Sequence, residues 1–482
     1  MEILVYILIA LAAAILLLVG VMIVRALVFR PGACQKSEAT PIDFDKEAAR
    51  DSLASLITCK TVSNVNPELE DDAEFEKLIG MLPSLYPNVY ATCELIKFEG
   101  RGMLYRWRGK GDGQPAVLMA HYDVVPVNEE GWEVDPFAAV VKDGVMWGRG
   151  TLDTKVTFNA ILFAAEHLIN TGYTPECDVY FAFSGCEEVN GPGASHIVDY
   201  FEKEGITPAL VLDEGGAVVE NAFPGLKSSC AYVGIAEKGM IEVEYRVKSN
   251  GGHASAPKPH TPVGILSRAC CNVENKPFKS HITPPVKEMF DTLGRHSNLL
   301  YRIIFANMWC FGWVLDLLGK KSGGDINALL RTTVAFTQMS GSKQSNVIPP
   351  EASMVSNIRL NPADTMESAL KYLKKTVDDP EVALKILHGY NPSRISRTDT
   401  DGFKKVCDAI KSTWDGCIPT PYLMMQCSDS RHWGRISDRV YRFSAMDLTS
   451  EERKTIHGHN ERIRFDCCQR ACEFFIRLIK FC

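Results

Sequence analysis

His121 and Asp123 stand two residues apart in MAHYDVVPV, Asp153 follows in GRGTLDTK, Glu187 and Glu188 adjoin in SGCEEVNGPG, and Asp213 lies in LVLDEGG. One imidazole and several carboxylates, spread over distant segments with no cysteine among them, form a hard-to-borderline donor set. Such a set suits a divalent ion such as Zn²⁺ that keeps open coordination positions, and it points to a metallohydrolase. Ser428, Asp429 and Arg431 offer a rival chemistry, a serine nucleophile, but no G-x-S-x-G elbow surrounds the serine and that reading is rejected.

The elements that must hold these groups are readable as apolar runs. Ala116–Ala120, Val179–Phe183 and Ala209–Leu212 read as buried strands, and the polar residues fall where the strands end, which is where active sites form in open α/β sheets. Thr157–Asn170 carries Leu162, Ala165 and Ile169 on one helical face directly after the Asp153 turn, and Asp43–Thr58 also has helical spacing. Strands alternating with helices predict an α/β domain. A lone Asp before a helix is ordinarily an N-cap, which is the alternative reading of Asp153.

From about Ala231 the pattern changes. Met240–Val247 alternates strictly, as a half-exposed strand does, and a Gly251–Gly252 turn follows. A second strand over Ala352–Leu360 and an amphipathic helix over Met366–Val377 continue this unit, and polar turns near Asn391–Thr400 mark its exit. The apolar helical block Asn298–Leu318 contains Trp309, Phe311 and Trp313; these are expected in the core, with a partner face or an acyl-chain pocket as alternatives. The expected organisation is an anchor over 1–30, a catalytic domain over 31–228 and 395–482, and an inserted domain over 229–394.

With 482 residues, 46% hydrophobic and 23% charged, the chain is long enough for two to four domains and buries a large core. A net charge of −7 without a dense Lys/Arg block excludes nucleic acid as the expected partner and leaves a small-molecule substrate. The sixteen cysteines show no repeated CxxC pairing, and the neighbours Cys270–Cys271 and Cys467–Cys468 are poorly placed for ordinary disulfides. With no Asn-x-Ser/Thr sequon either, the chain reads as one of free, mostly buried thiols in a reducing or bacterial setting.

Ile3–Val24 carries no charge and as a helix would be about 33 Å long, enough for the hydrocarbon core. It reads as a membrane span and not as a cleaved signal peptide, because a basic n-region and a prompt A-x-A site are missing. Arg25, Arg30 and Lys36 follow it and no Lys or Arg precedes it, so the positive-inside rule puts the C-terminal part in the cytoplasm.

The succession HYDVVP, GRGTLDTK, EEVNGPGA, LDEGG, GGHASAP, NVIPPEA, SDSRHW and HGHNER resembles the zinc aminoacylase and carboxypeptidase family over roughly residues 45–480, and within it the carboxypeptidase S and N-fatty-acyl-amino-acid synthase/hydrolase branch. The resemblance implies a mixed-sheet α/β catalytic domain with an inserted α+β, ferredoxin-like lid or dimerisation domain. It also implies two Zn²⁺ ions per subunit. His121 and Asp213 would hold one, Glu188 and His457 the other, and Asp153 would bridge them. Asp123 would fix the His121 tautomer, and Glu187 would shuttle the proton of the attacking water. His253 would stabilise the oxyanion, in some relatives across a homodimer interface, while Asn346 and Arg359 would hold the substrate's carboxylate. Glu214 is the alternative to Asp213. His459 competes with His457, but the latter matches His-Gly-x-Asn-Glu. The expected substrate is a dipeptide or an N-acyl amino acid; an ester or acetyl group on the same scaffold, or a non-catalytic binding protein, are the alternatives. Carboxypeptidase S-type relatives face the lumen, against the charge-based orientation. Two departures from the family stand out: Thr154, where Asp or Met is usual next to an unusual peptide bond, and Gln426–Cys427 in place of a Gly-rich lead into SDSR.

Overall fold

The computed structural model describes residues 2–32, 41–220, 223 and 225–482, so Lys36 lies outside the described residues. The chain forms two compact units. The larger comprises Pro31–Ile235, Ser396–Tyr422 and Ser428–Cys482, and the smaller comprises Met1–Arg30, Ala236–Ile395 and Leu423–Cys427.

The larger unit is built on a mixed eight-stranded sheet. From edge to edge the strands are Glu94–Phe98, Gly102–Trp107, Val179–Ser184, Ala116–His121, Leu210–Val219, Val440–Asp447, Cys230–Glu237 and Ile418–Met424. The four in the middle, from Val179–Ser184 to Val440–Asp447, run parallel. Every residue of Ala116–His121 and Val179–Ser184 is buried, as helix-covered parallel strands require. Alternation assigns the faces: Phe183 packs edge-to-face with Phe158 of the helix Lys155–Asn170, with ring centroids 4.5 Å apart, while Tyr180 meets Phe201 of the helix Gly193–Lys203 at 4.9 Å. Lys155 is fully buried at the start of its helix, and its ammonium donates to the carbonyls of Leu56 and Cys59 at 3.0 and 2.6 Å. It thereby satisfies the C-terminal end of the helix Lys46–Ile57. All fifteen described cysteines are free, and eight of them are buried.

The smaller unit is α+β. Its antiparallel sheet runs Thr333–Ser340, Glu351–Leu360, Gly239–Lys248, Ala383–Tyr390. Ile241, Val243, Tyr245 and Val247 point one way along the third of these, into a core closed by the helices Pro262–Asn275 and Met366–Val377. The expected apolar block is not one buried helix. It breaks at Asn307 into Leu299–Ala306 and Met308–Ser322, bent by 100°, and Trp309 and Trp313 are 61% and 69% exposed. The break centres on one residue. Asn307 leaves helical geometry at φ −126° and ψ 38°, and its side-chain amide donates to Ile303 O and Met22 O. Phe305 and Ala306 are buried before the break, whereas Trp309, Trp313 and Leu317 repeat at four-residue spacing on one exposed side after it. The same unit includes the helix Glu2–Val28, long and apolar enough to cross a bilayer, in which only Ala26 is buried.

Phe201 is wedged between Tyr180 and Trp433, 4.9 and 4.8 Å from their centroids, and is fully buried. Phe201→Ala is therefore expected to destabilise the larger unit by about 3–5 kcal/mol. Denaturant unfolding followed by tryptophan emission checks this; an unchanged midpoint would place the cluster outside the cooperative core.

Candidate active site

Five segments of the larger unit converge. His121 is the last residue of the strand Ala116–His121, Glu187 and Glu188 follow the end of Val179–Ser184, and Asp213 and Glu214 lie within Leu210–Val219. Asp153 occupies the turn before the helix Lys155–Asn170, and His457 sits in the loop after Ser450–Arg453, in the left-handed region at φ 59°.

Asp153 is the hub. Its Oδ1 is 3.0 Å from His121 Nε2 and its Oδ2 is 3.0 Å from His457 Nε2, so one carboxylate spans two imidazoles. Asp153 is thus no helix cap: the capping position belongs to Thr154, which makes no side-chain cap bond, and the Asp153–Thr154 peptide is cis. Glu188 Oε2 completes the second corner, 3.2 Å from His457 Nε2. Two clusters result, His121 with Asp153 and Glu188, and His121 with Glu187 and Glu214, each with ligand atoms mutually within 4.8 Å.

Asp123 organises both neighbouring segments. It is fully buried, with Oδ1 3.4 Å from His121 Nδ1 and accepting the Glu187 N–H at 3.1 Å; Oδ2 accepts the Glu188 N–H at 3.2 Å and the Ser63 hydroxyl at 2.7 Å. The His121 ring and the backbone of the paired glutamates are therefore fixed by one carboxylate. His121 Nδ1 also lies 3.0 Å from the Asp123 carbonyl, which leaves Nε2 as the ring nitrogen facing Asp153.

The adjacent acids Asp213 and Glu214 face differently. Asp213 accepts the N–H of Ser430 at 2.8 Å and that of Glu214 at 2.9 Å, whereas Glu214 Oε1 stands 3.4 Å from His121 Nε2. Two further acids belong to the site: Glu461, which the sequence reading missed, and Asp429, which it weighed only beside Ser428 as a rejected nucleophile. Buried Glu461 accepts the N–H groups of Gly150, Leu152 and Asp153 on Oε1, at 3.1, 2.7 and 3.2 Å, and the Arg149 guanidinium on Oε2 at 2.6 Å. Buried Asp429 accepts the Ser184 hydroxyl. Glu461 had a signal: the Arg of GRG and the Glu of HGHNER are opposite charges in two motifs that already carried candidate ligands. Asp429 had only its place in SDSR.

The charge balance tests whether a cation fits. Burial raises Glu187 well above the usual carboxylate range, with Glu214, Asp429 and Glu188 adding to it; burial, with Asp153 and Asp213, pushes Glu214 to about 8. Hydrogen bonds with Asp153 and Glu188 lift His457 to about 10. Burial opposes charge on His121, but Glu214, Asp123 and Asp153 overcome it and raise its pKa well above the ordinary value. Glu188 Oε1 is buried without a hydrogen-bond partner. A carboxylate-rich pocket that draws protons onto its imidazoles and leaves a buried anionic oxygen unpaired is short of positive charge, and the donor set fits divalent metal.

The other expected residues lie in the smaller unit. His253, in the short strand Gly252–His253, pairs with Val347, next to Asn346, whose carbonyl accepts the Ala254 N–H at 2.9 Å. His253 Nδ1 accepts the backbone N–H of Ser255 at 3.1 Å. A backbone N–H only donates, so the neutral ring carries its proton on Nε2. Arg359 is half-buried on Glu351–Leu360; Nε donates to Asn357 Oδ1 at 3.2 Å and Nη1 lies 3.0 Å from the Cys427 sulfur. The Gln426–Cys427 departure thus sets a thiol against this guanidinium.

Residues 117–480 match the model of peptidase family M20/M25/M40. A probable carboxypeptidase S-like 2 of Dictyostelium discoideum is 32% identical over 440 residues, covering 89% of this chain and 84% of the relative. The N-fatty-acyl-amino acid synthase/hydrolase PM20D1 of Xenopus tropicalis is 33% identical over 437 residues, covering 89% and 85%. Among solved structures, the M20 family metallo-carboxypeptidase Sso-CP2 of Sulfolobus solfataricus shares the fold with a TM-score of 0.65 at 18% identity, covering 90% of this chain and 98% of that one. With its converging strand ends, its two imidazoles joined by an aspartate and a match over most of its length, this chain belongs to peptidase family M20/M25/M40 and is a metal-dependent peptidase or amidohydrolase.

Proposed function

We propose that the protein is a membrane-anchored dizinc hydrolase that cleaves the amide bond of a dipeptide or an N-acyl amino acid bearing a free carboxylate. The carrying observation is the Asp153 carboxylate, with one oxygen on each of two imidazoles 3.0 Å away. His121 and Asp153 would hold one ion and His457, Glu188 and Asp153 the other, with the remaining carboxylate of the first site coming from Asp213 or Glu214. Two zinc ions so held would supply polarisation of the scissile carbonyl and acidify the attacking water. Glu187 accepts the proton of that water and delivers it to the leaving nitrogen; its burial and anionic neighbours favour the protonated state needed for the second transfer. Asp123 keeps the His121 ring and the Glu187–Glu188 backbone in register for this. His253, its proton on Nε2, donates to the oxyanion, and Asn346 and Arg359 receive the substrate's carboxylate. The smaller unit serves as the lid or dimerisation element. The carboxypeptidase and N-fatty-acyl amino acid names of the relatives support the amide substrate class. The exposed apolar helix Glu2–Val28 supports the single anchor.

The paired glutamates are expected to fail differently. Glu187→Gln should retain two zincs and lose about 10²-fold or more in kcat, whereas Glu188→Gln should lose metal at one site and regain part of its activity in excess zinc. Zinc stoichiometry and kcat on a panel of N-acyl amino acids and dipeptides decide this; a metal-poor Glu187→Gln beside a fully loaded Glu188→Gln reverses the roles.

The orientation of the two acids in LVLDEGG makes a second comparison informative. If Glu214 is the ligand, Glu214→Gln should depress zinc content while Asp213→Asn chiefly loosens the Ser430 loop. Metal titration of both variants separates them, and the opposite pattern restores Asp213 as the ligand.

His253→Ala should lower kcat by about 10²-fold or more and leave the metal content unchanged. Recovery of activity on mixing it with Glu187→Gln places the histidine across a subunit boundary, and undiminished turnover of the single variant removes it from the reaction.

A further inference from the structure

A second apolar feature of the smaller unit lies beside the N-terminal helix. Leu299 and Leu300 on the first arm of the bent pair, and Trp309, Trp313, Leu317 and Leu318 on the second, are 47% to 69% exposed. On the second arm Trp309, Trp313 and Leu317 form a stripe at i, i+4 and i+8. A stripe of this size facing water on a soluble protein marks an interaction surface.

What covers it is indicated by what it adjoins. The bent pair is fastened to the end of the helix Glu2–Val28. Arg25 donates twice to the Ala306 carbonyl, at 3.2 and 2.9 Å, and the Asn307 amide donates to Met22 O at 3.1 Å. Arg295, on the helix Pro284–His296, donates to Arg30 O at 3.2 Å and lies over the Phe29 ring at 4.5 Å. The stripe thus begins two residues after a contact with the last turns of the apolar helix.

We propose that the helix pair Leu299–Ala306 and Met308–Ser322 lies in the interface of a phospholipid bilayer, immersing Trp309, Trp313 and Leu317 at the headgroup–acyl boundary beside the N-terminal helix. This rests on the membrane reading of Glu2–Val28. The fifteen residues of the second arm reach about 22 Å at 1.5 Å per residue, short of the roughly 30 Å hydrocarbon core, so the arm lies along the surface and does not cross it. Tryptophan is the residue favoured at that depth. Asp316, on the same arm, brings no uncompensated charge, being paired with Lys320 at 2.8 Å and with Arg331. Lys320 and Lys321 then close the helix with cations suited to lipid phosphate. The smaller unit is thereby held to the membrane at two places, a helix through it and a platform on it, which fixes its tilt as a single flexible tether does not.

The test uses the full-length protein in vesicles of phosphatidylcholine brominated near the carbonyl end of the acyl chain, with tryptophan emission as the readout. Wild type should be quenched, and Trp309→Phe/Trp313→Phe, with unchanged zinc content and activity, should lose most of that quenching. Equal quenching of the two proteins, both resisting an alkaline carbonate wash, overturns the platform and leaves the anchor standing. Release of wild type by the wash overturns the anchor and the platform with it. Absence of quenching in a dimer that Trp309→Glu converts to monomer gives the face to a second copy and equally overturns the proposal.

Discussion

The structure depends on keeping several carboxylates together in one buried pocket. Glu187, Glu188, Glu214 and Asp153 crowd around two imidazoles, and mutual repulsion with lost hydration would drive them apart unless something compensated. The protein answers with hydrogen bonds that aim each group. Asp153 divides its oxygens between His121 and His457, and although burial opposes its ionisation, those two bonds carry its pKa below the ordinary value. The turn that carries it is gathered by Glu461, which collects three backbone N–H groups and the Arg149 guanidinium. The parallel strands Ala116–His121 and Val179–Ser184 end side by side and bring His121 and the paired glutamates to one rim, while Glu214 projects from within Leu210–Val219.

What the sequence disclosed and what it withheld follow from the range of the interactions. Strands over Ala116–His121 and Val179–Ser184 and the helix before Asn170 are written in local apolar patterns, and the ordered motifs carry the family. Glu461 was passed over because its work is done more than three hundred residues away in the chain, on Gly150 and Leu152. The contrast between Asp213 and Glu214 was not decidable by inspection. Successive side chains of a strand point to opposite faces, so which of two adjacent acids meets His121 is set by the strand's seating in the sheet. The apolar composition of Trp309 and Trp313 suggested the core, but composition does not encode the kink at Asn307 that turns them outward.

For the oxyanion role proposed for His253, a small contact decides which ring nitrogen can donate. His253 is exposed and offers no burial argument, yet the Ser255 N–H at Nδ1 leaves the donor on Nε2. A ring with the opposite tautomer would present a lone pair to a developing anion and repel it.

The thiols sort themselves by access. Burial pushes Cys186, Cys230 and Cys482 up to about 12 and Cys467 well above the ordinary value, so these sulfurs stay protonated and unreactive at neutral pH. Cys271, on the helix Pro262–Asn275, is the one exposed cysteine among the described residues. A chain with sixteen cysteines would ordinarily need wholesale replacement before a fluorophore or spin label is attached at one place. Among the described cysteines, Cys271 is the one most open to a maleimide, so a brief treatment reaches the smaller unit there before the eight buried thiols.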